Sequence, residues 1–321
     1  MKKFVAIIIS VILLVTACAC FAACDGEGGL KLYVPDGAPA MSVVKIMNDG
    51  KVGADKVKTV VTTGEDVVAK CASGEADMAV LPTNAAVKIC HDRTDYLLFS
   101  INVYGVLYVV GTEQINNISE LQGQTLHSIG LGNTPEYVFK AICDSKGVRY
   151  EGDGAINIVY ATNASSINPL VLSGEAKFAL IGEPAVTQLS NKLASKGKQL
   201  YNLFDLQAMW QELTGSEELG YPQASMIVKK SLLSDDVFAA KLYEALYANA
   251  EFATAHLAEL NGIMRGAGSS LDLTYTEALI ERCNLRAIPA ALARDDLSKY
   301  LAKFGAVANF LSDDIFYEAE D

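Results

Sequence analysis

From residue 30 to residue 228 the chain alternates short apolar runs with stretches of helical spacing. Leu30 to Val34, Val57 to Val61 and Met78 to Leu81 read as strands, and Ala40 to Asn48, Glu65 to Ala72 and Thr83 to Cys90 as the helices after them. This order predicts a parallel sheet with right-handed crossovers. Two long apolar runs, Leu97 to Val103 and Gly105 to Val110, meet at Tyr104, where a first crossing between two lobes is expected. The alternation resumes with strands Gln124 to Ile129, Ile156 to Tyr160, Phe178 to Ile181 and Leu200 to Phe204. Their helices run from Thr134 to Lys146, Ile167 to Ser173, Ala185 to Ala194 and Leu206 to Leu213. Gly220-Tyr221-Pro222-Gln223 breaks the pattern before strand Ala224 to Val228 and reads as the return crossing. Helices at 235–259, 275–283, 289–303 and 307–311 are expected to pack on the first lobe, and the acidic tail 313–321 to be a solvated end. The expected division is residues 25–104 and 222–321 in lobe one and 105–221 in lobe two.

One segment recurs. Ser73-Gly74-Glu75-Ala76 leads into an apolar strand and then Pro82-Thr83-Asn84, and Ser173-Gly174-Glu175-Ala176 leads into another strand and then Gly182-Glu183-Pro184. Each is a strand whose carboxyl end meets a helix amino end, where free backbone N–H groups and short side chains converge on small ligands. Asp36-Gly37-Ala38-Pro39 and Gly130-Leu131-Gly132-Asn133-Thr134-Pro135 have the same chemistry, with proline at the first helical turn and Thr134 as an expected cap. The second of these is no dinucleotide fingerprint, because the third glycine and an acidic ribose partner are missing.

With 321 residues and 51% hydrophobic composition the chain has material for two packed cores. A net charge of −12 without a basic cluster argues against nucleic-acid binding. Lys2 and Lys3 precede an apolar run from Phe4 to Thr16, which predicts a secretory signal shorter than the ~20 residues of a membrane span. Phe21-Ala22-Ala23-Cys24 resembles a bacterial lipoprotein box, implying a signal peptide over residues 1–24, a lipidated Cys24 and the flexible tether Asp25 to Gly29. Val15-Thr16-Ala17-Cys18 also fits the box and leaves Cys18 as the alternative. Cys71, Cys90, Cys143 and Cys283 have wide, irregular spacing without C-x-x-C and read as buried free thiols. His91, His127 and His256 are scattered, so neither a metal site nor a catalytic triad is predicted, and no nucleophile elbow is present.

The ordered set Asp36-Gly37-Ala38-Pro39-Ala40, Ser73 to Asp77 with Leu81 to Asn84, Thr134 to Tyr137, Gly182-Glu183-Pro184, Trp210 and Tyr221-Pro222-Gln223 resembles the substrate-binding proteins of ABC importers. The resemblance is to the nitrate, sulfonate, taurine and thiamine-pyrimidine family and spans about Leu30 to Leu260. It implies an α/β, two-lobed type II periplasmic-binding-protein-like fold. Each lobe would be a mixed, mostly parallel sheet flanked by helices, with a helical carboxy-terminal extension on the first lobe. It further implies a monomer without cofactor, tethered outside the cell membrane by its lipid, that passes a small ligand to an ABC permease. Its ligand-contacting positions map to Asp36, Gly37, Ala38, Thr62, Thr63, Pro82, Thr83, Asn84, Asn133, Thr134, Asn163 and Glu183. Tyr104, Tyr137, Tyr221 and Trp210 stand as either ligand-stacking or hinge-packing residues. The cleft segments hold Asp36, Glu136 and Glu183 but no Lys or Arg, which favours a nitrogen heterocycle of the thiamine-pyrimidine type whose amino group donates to a carboxylate. A sulfonate, taurine or nitrate binder is the alternative, and a pyrimidine-synthase type enzyme on the same fold the further one.

Overall fold

The computed structural model describes residues 29–216 and 219–319. Cys18, Cys24 and the rest of the signal segment lie outside the described residues. Twelve strands are present: β1 (Leu30–Pro35), β2 (Lys51–Val52), β3 (Asp55–Thr62), β4 (Met78–Pro82), β5 (Tyr96–Val103), β6 (Leu107–Gly111), β7 (Thr125–Ile129), β8 (Asn157–Ala161), β9 (Phe178–Gly182), β10 (Tyr201–Asp205), β11 (Ala224–Lys229) and β12 (Leu285–Pro289).

They form a seven-stranded sheet in the order β12-β5-β11-β4-β1-β3-β2 and a five-stranded sheet in the order β10-β6-β9-β7-β8. In the first, β3, β1 and β4 pair in parallel, while β11, β5 and β12 add antiparallel ladders. In the second, β8, β7 and β9 are parallel and β6 and β10 antiparallel. The central strands β4 and β9 are apolar and buried on both faces because helices cover each side. The chain leaves the first sheet after Val103, builds the second through Asp205 and rejoins the first at Ala224.

Local chemistry places the helix ends. Thr63 Oγ1 accepts from Asp66 N, Asn163 Oδ1 from Ser166 N, and Asp205 Oδ1 from Gln207 N and Ala208 N. Gly147 adopts the left-handed conformation that stops helix Thr134–Lys146. The largest apolar cluster runs continuously from the first sheet into the second lobe behind the crossings. There Trp210 packs against Tyr221 and Tyr300 at centroid distances of 5.4 and 5.5 Å, Tyr221 stacks on Tyr300, and Tyr137 meets Phe304. Of the aromatic candidates, Trp210, Tyr221 and Tyr137 therefore pack the hinge. Tyr104 joins it as well, its hydroxyl donating to Asp296 Oδ2 at 2.6 Å.

The carboxy-terminal part departs most from expectation. The helix expected over 235–259 is broken into Asp236–Tyr247 and Asn249–Ala255, and a further helix, Leu260–Gly266, follows beyond its expected end. Between the helices expected at 275–283 and 289–303 lies β12, an irregular antiparallel edge strand on β5. The acidic tail is not a free end: Tyr317 N donates to Leu98 O at 3.0 Å, and Ile315, Phe316 and Tyr317 are buried, Tyr317 stacking on Phe99. Three aromatic or branched side chains among the acids outweigh the solvation of the charges around them. Cys71, Cys90, Cys143 and Cys283 are free and buried, and burial pushes the Cys71 and Cys143 thiols up to about 12.

Candidate functional site

Between the two sheets lies a cleft of about 400 Å³. Five helices begin at its wall: Ala38–Met41 and Gly64–Ala72 after first-sheet strands, and Thr134–Lys146, Ala164–Ser173 and Ala185–Ala194 after second-sheet strands. First-turn N–H groups have no intrahelical acceptor, and Thr63 and Asn163 satisfy only the donors at the third helical position. The amides of Gly64, Glu65, Ala164 and Ser165, all in residues lining the cleft, are left for a ligand or water. The aligned peptide dipoles make this a region of positive potential within an acidic protein. Between the helix ends the wall is aliphatic, with Pro35, Val61, Val106, Leu107, Ile129 and Leu271.

Asp36, Gly37, Ala38, Thr62, Thr63, Pro82, Asn133, Thr134, Asn163 and Glu183 line this cleft together. Thr83 and Asn84, the remaining expected contacts, stand behind its wall. The Thr83 hydroxyl is fully buried 2.7 Å from Ser225 Oγ on the neighbouring strand, and Asn84 Nδ2 donates to Gly132 O of the other lobe at 3.1 Å. Their position in the first helical turn points the side chains back toward the sheet and across the lobe junction rather than into the opening. Thr134 lies at the cleft but is no cap. Asn133 is the residue preceding that helix, while the Thr134 hydroxyl accepts from Tyr300 Oη at 2.8 Å and donates to Gln223 O at 3.4 Å.

The carboxylates behave differently from expectation. Asp36 accepts from Ser269 Oγ at 2.6 Å, Ser270 N at 2.9 Å and Ser270 Oγ at 2.8 Å, tying the loop before Leu271 to the first helix start. Glu183, 3% exposed, accepts from Thr187 N and Thr187 Oγ1 and from Arg282 Nε at 2.8 Å. Glu136 accepts from Gly132 N at 2.6 Å and pairs with Lys140 at 2.9 Å. Burial opposes its charge, but the Gly132 N–H and the Lys140 ammonium prevail and hold the carboxyl below the usual glutamate range. Asp36, Glu136 and Glu183 are therefore all engaged, and the carboxylate left free at the cleft is that of Glu65, exposed in the first turn of helix Gly64–Ala72. What the cleft segments did not reveal is the cation beside Glu183: Arg282, remote in sequence, supplies it.

Sequence reasoning also missed Gln223, Gly268, Ser270 and Leu271 as cleft residues. Gln223 sits in the quoted Tyr-Pro-Gln segment and is legible from it; the 268–271 loop carries no local signal. Among the described residues no group of three or more His, Cys, Asp or Glu side chains is placed to hold a metal ion, and no helix is long and apolar enough to cross a membrane.

Two mixed sheets facing one cleft, joined by two chain crossings, define a two-lobed periplasmic-binding-protein fold. An ABC transporter protein from Parabacteroides distasonis is similar at a TM-score of 0.74 and 20% identity, over 91% of this chain and 99% of that one. The periplasmic aliphatic sulphonate binding protein from Escherichia coli matches at 0.63 and 10%, over 91% and 92%. The alkanesulfonate-binding protein from Xanthomonas axonopodis pv. citri matches at 0.61 and 11%, over 90% and 96%. The sequence profile of the family described as menaquinone biosynthesis matches residues 39–282, and the chain belongs to that family. Among curated proteins none matches it by sequence.

Proposed function

We propose that the chain is an extracytoplasmic solute-binding protein, tethered through Cys24, that closes on one small ligand and passes it to an ABC permease. The observation that carries this reading is the convergence of helix amino ends from both lobes on one small cleft, where Asp36 and Glu183 are engaged internally. A catalytic site needs a group free to move a proton or attack. Here Asp36 accepts from four donors and Glu183 from three, Glu65 stands exposed without a basic partner, and no His, Cys or Lys lines the cleft among the described residues.

The ligand we favour is a small flat heterocycle of the thiamine-pyrimidine type. Aliphatic walls suit its faces, and ring nitrogens or carbonyl oxygens would accept from helix N–H groups. This replaces the amino-to-carboxylate contact, which Arg282 removes. The same pairing favours a second reading, a sulfonate or another organic anion: with Glu183 paired to Arg282, the buried carboxylate no longer opposes the helix dipoles, and Glu65 is the carboxylate that still does. The sulphonate binders similar in fold support that second reading, and the family's description, menaquinone biosynthesis, supports an enzyme as the third.

A thermal-shift screen separates these. A ligand at a hundred times its dissociation constant adds ~2.7 kcal/mol to the folded state and raises the melting temperature accordingly. Pyrimidines are expected to give the large shift. A shift with alkanesulfonates alone moves the assignment to anions, and chemical conversion of any added compound, seen by mass spectrometry, moves it to an enzyme. Mass spectrometry of the membrane-extracted protein distinguishes lipid on Cys24 from lipid on Cys18.

A further inference from the structure

Glu183 and Arg282 are ninety-nine positions apart and on opposite lobes. Glu183 follows directly on β9 of the second sheet, and Arg282 ends helix Glu277–Arg282, which leads into β12 of the first. Among the described residues this is the ion pair that joins the lobes. Arg282 Nη2 also donates to Thr187 Oγ1 at 3.0 Å, and one residue further along the same helix Gln188 Nε2 donates to Asp272 O at 3.3 Å. The opposite flank of the cleft is bridged by neutral groups instead, Asn84 to Gly132 and Tyr300 to Thr134.

We propose that Glu183, Thr187 and Arg282 form an interlobe latch that holds the cleft closed before any ligand enters, on the reading of the chain as a two-lobed solute binder. Three features suit a latch. The Glu183 side chain is 1% exposed, so its charge is little screened and the pairing is strong. The Arg282 side chain is 41% exposed, so when the lobes part it returns to water at little cost. Glu183 keeps the Thr187 N–H and hydroxyl, which ride on its own lobe, so its carboxylate is not stranded in the open form. A second, polar cavity of about 630 Å³ borders Glu183, Thr187 and Arg282, and gives water a path to the pair. The same carboxylate lines the ligand cleft, so latch and cleft share a wall. Ligand affinity then reports the intrinsic contacts together with closure already achieved.

Small-angle X-ray scattering of the ligand-free protein tests this without knowledge of the ligand. Arg282→Gln and Glu183→Gln are each expected to shift the population on the order of tenfold toward the open form and to raise the radius of gyration. The double variant should add little to either single change, because both remove one interaction, and Arg282→Lys should open less than Arg282→Gln. Hydrogen exchange at Gly64, Ala164 and Ser165 should quicken in the open variants while β4 and β9 keep their protection, which separates opening from unfolding. Wild-type scattering and exchange in Arg282→Gln would overturn the latch. A screen in which no solute stabilises wild type or variant would instead overturn the solute-binding reading, and leave the scattering result intact.

Discussion

A Cβ on Gly220 would overlap the carbonyl oxygen of Tyr104, so the two chain crossings between the lobes are in backbone contact. Both Gly105, at φ 80°, and Gly220, at φ 110°, lie in the left-handed region. Side chains bind the crossings together: Gln223 Oε1 accepts from Val106 N at 2.9 Å, and Gln207 Oε1 from Leu107 N at 2.7 Å and Tyr221 Oη at 3.1 Å. Replacing Gly220 by alanine adds a backbone collision to an unfavourable φ and is expected to cost at least ~2 kcal/mol. Gly50→Ala, at φ 61° with nothing within 4 Å of the added carbon, should cost only ~1 kcal/mol. Denaturant unfolding of the two variants measures the difference.

Tyr300→Phe removes a fully buried hydroxyl that donates to Thr134 Oγ1 across the lobe junction. The ring stack with Tyr221 persists, so the expected loss is about 1 kcal/mol. Thr134→Val removes the acceptor and strands the Tyr300 hydroxyl, with an expected loss of ~1–3 kcal/mol. Chemical unfolding of both variants orders them, Thr134→Val being the less stable.

Asp36→Ala releases the 268–271 loop from the first helix start, because Ser269 and Ser270 both donate to that carboxylate. A loss of ~1–3 kcal/mol is expected, together with faster hydrogen exchange at Ser270 and Leu271. Asp36→Asn keeps one acceptor oxygen and should fall between wild type and Asp36→Ala.

Glu75 sets part of the acid limit. Its carboxylate accepts from Lys70 Nζ at 2.8 Å, Tyr33 Oη at 2.8 Å and Lys31 Nζ at 3.2 Å. Hydrogen bonds from Lys70, then Tyr33, then Lys31 bring it down to about 2. An unfolded glutamate titrates near ~4.3. The folded value is the lower one, so the stabilisation is present above the unfolded value and is lost as pH falls toward about 2. Glu75→Gln should therefore lower stability at neutral pH and flatten its fall in that acid window, as thermal melts across pH would record.

The folded thiols should resist alkylation. Burial keeps Cys71 and Cys143 near 12, with Cys90 and Cys283 also raised, so thiolate is scarce at neutral pH. Peptide mapping after iodoacetamide should find these four unmodified in the native protein and modified after denaturation.

Up to Val228 most strands and helices are legible because each buries one face or lies wholly inside, and burial imposes a period of two, a period of 3.6 or a continuous apolar run. Helix Ala185–Ala194, for example, keeps the bounds its apolar spacing predicts. The helix starts at Thr63, Asn133, Asn163 and Pro184 are legible from their capping or proline chemistry, and ten of the twelve expected ligand contacts lie on the cleft because such starts follow strand ends. Beyond Ser234 legibility falls. β12 is an irregular edge strand with Arg286 exposed, so no alternation marks it. Phe316 and Tyr317 are buried by partners such as Phe99 and Tyr243, more than seventy residues away.

The sequence by itself determined the alternation of strands and helices, the two crossings, the helix amino ends and the acidic balance of the chain, because these follow from local periodicity and residue type. Only the tertiary structure decided the electrostatics of the cleft. Whether Glu183 offers a bare carboxylate or a neutralised one depends on Arg282, brought within 2.8 Å from a helix ninety-nine residues on. No local pattern encodes that distance, since Coulombic pairing depends on separation in space and not along the chain.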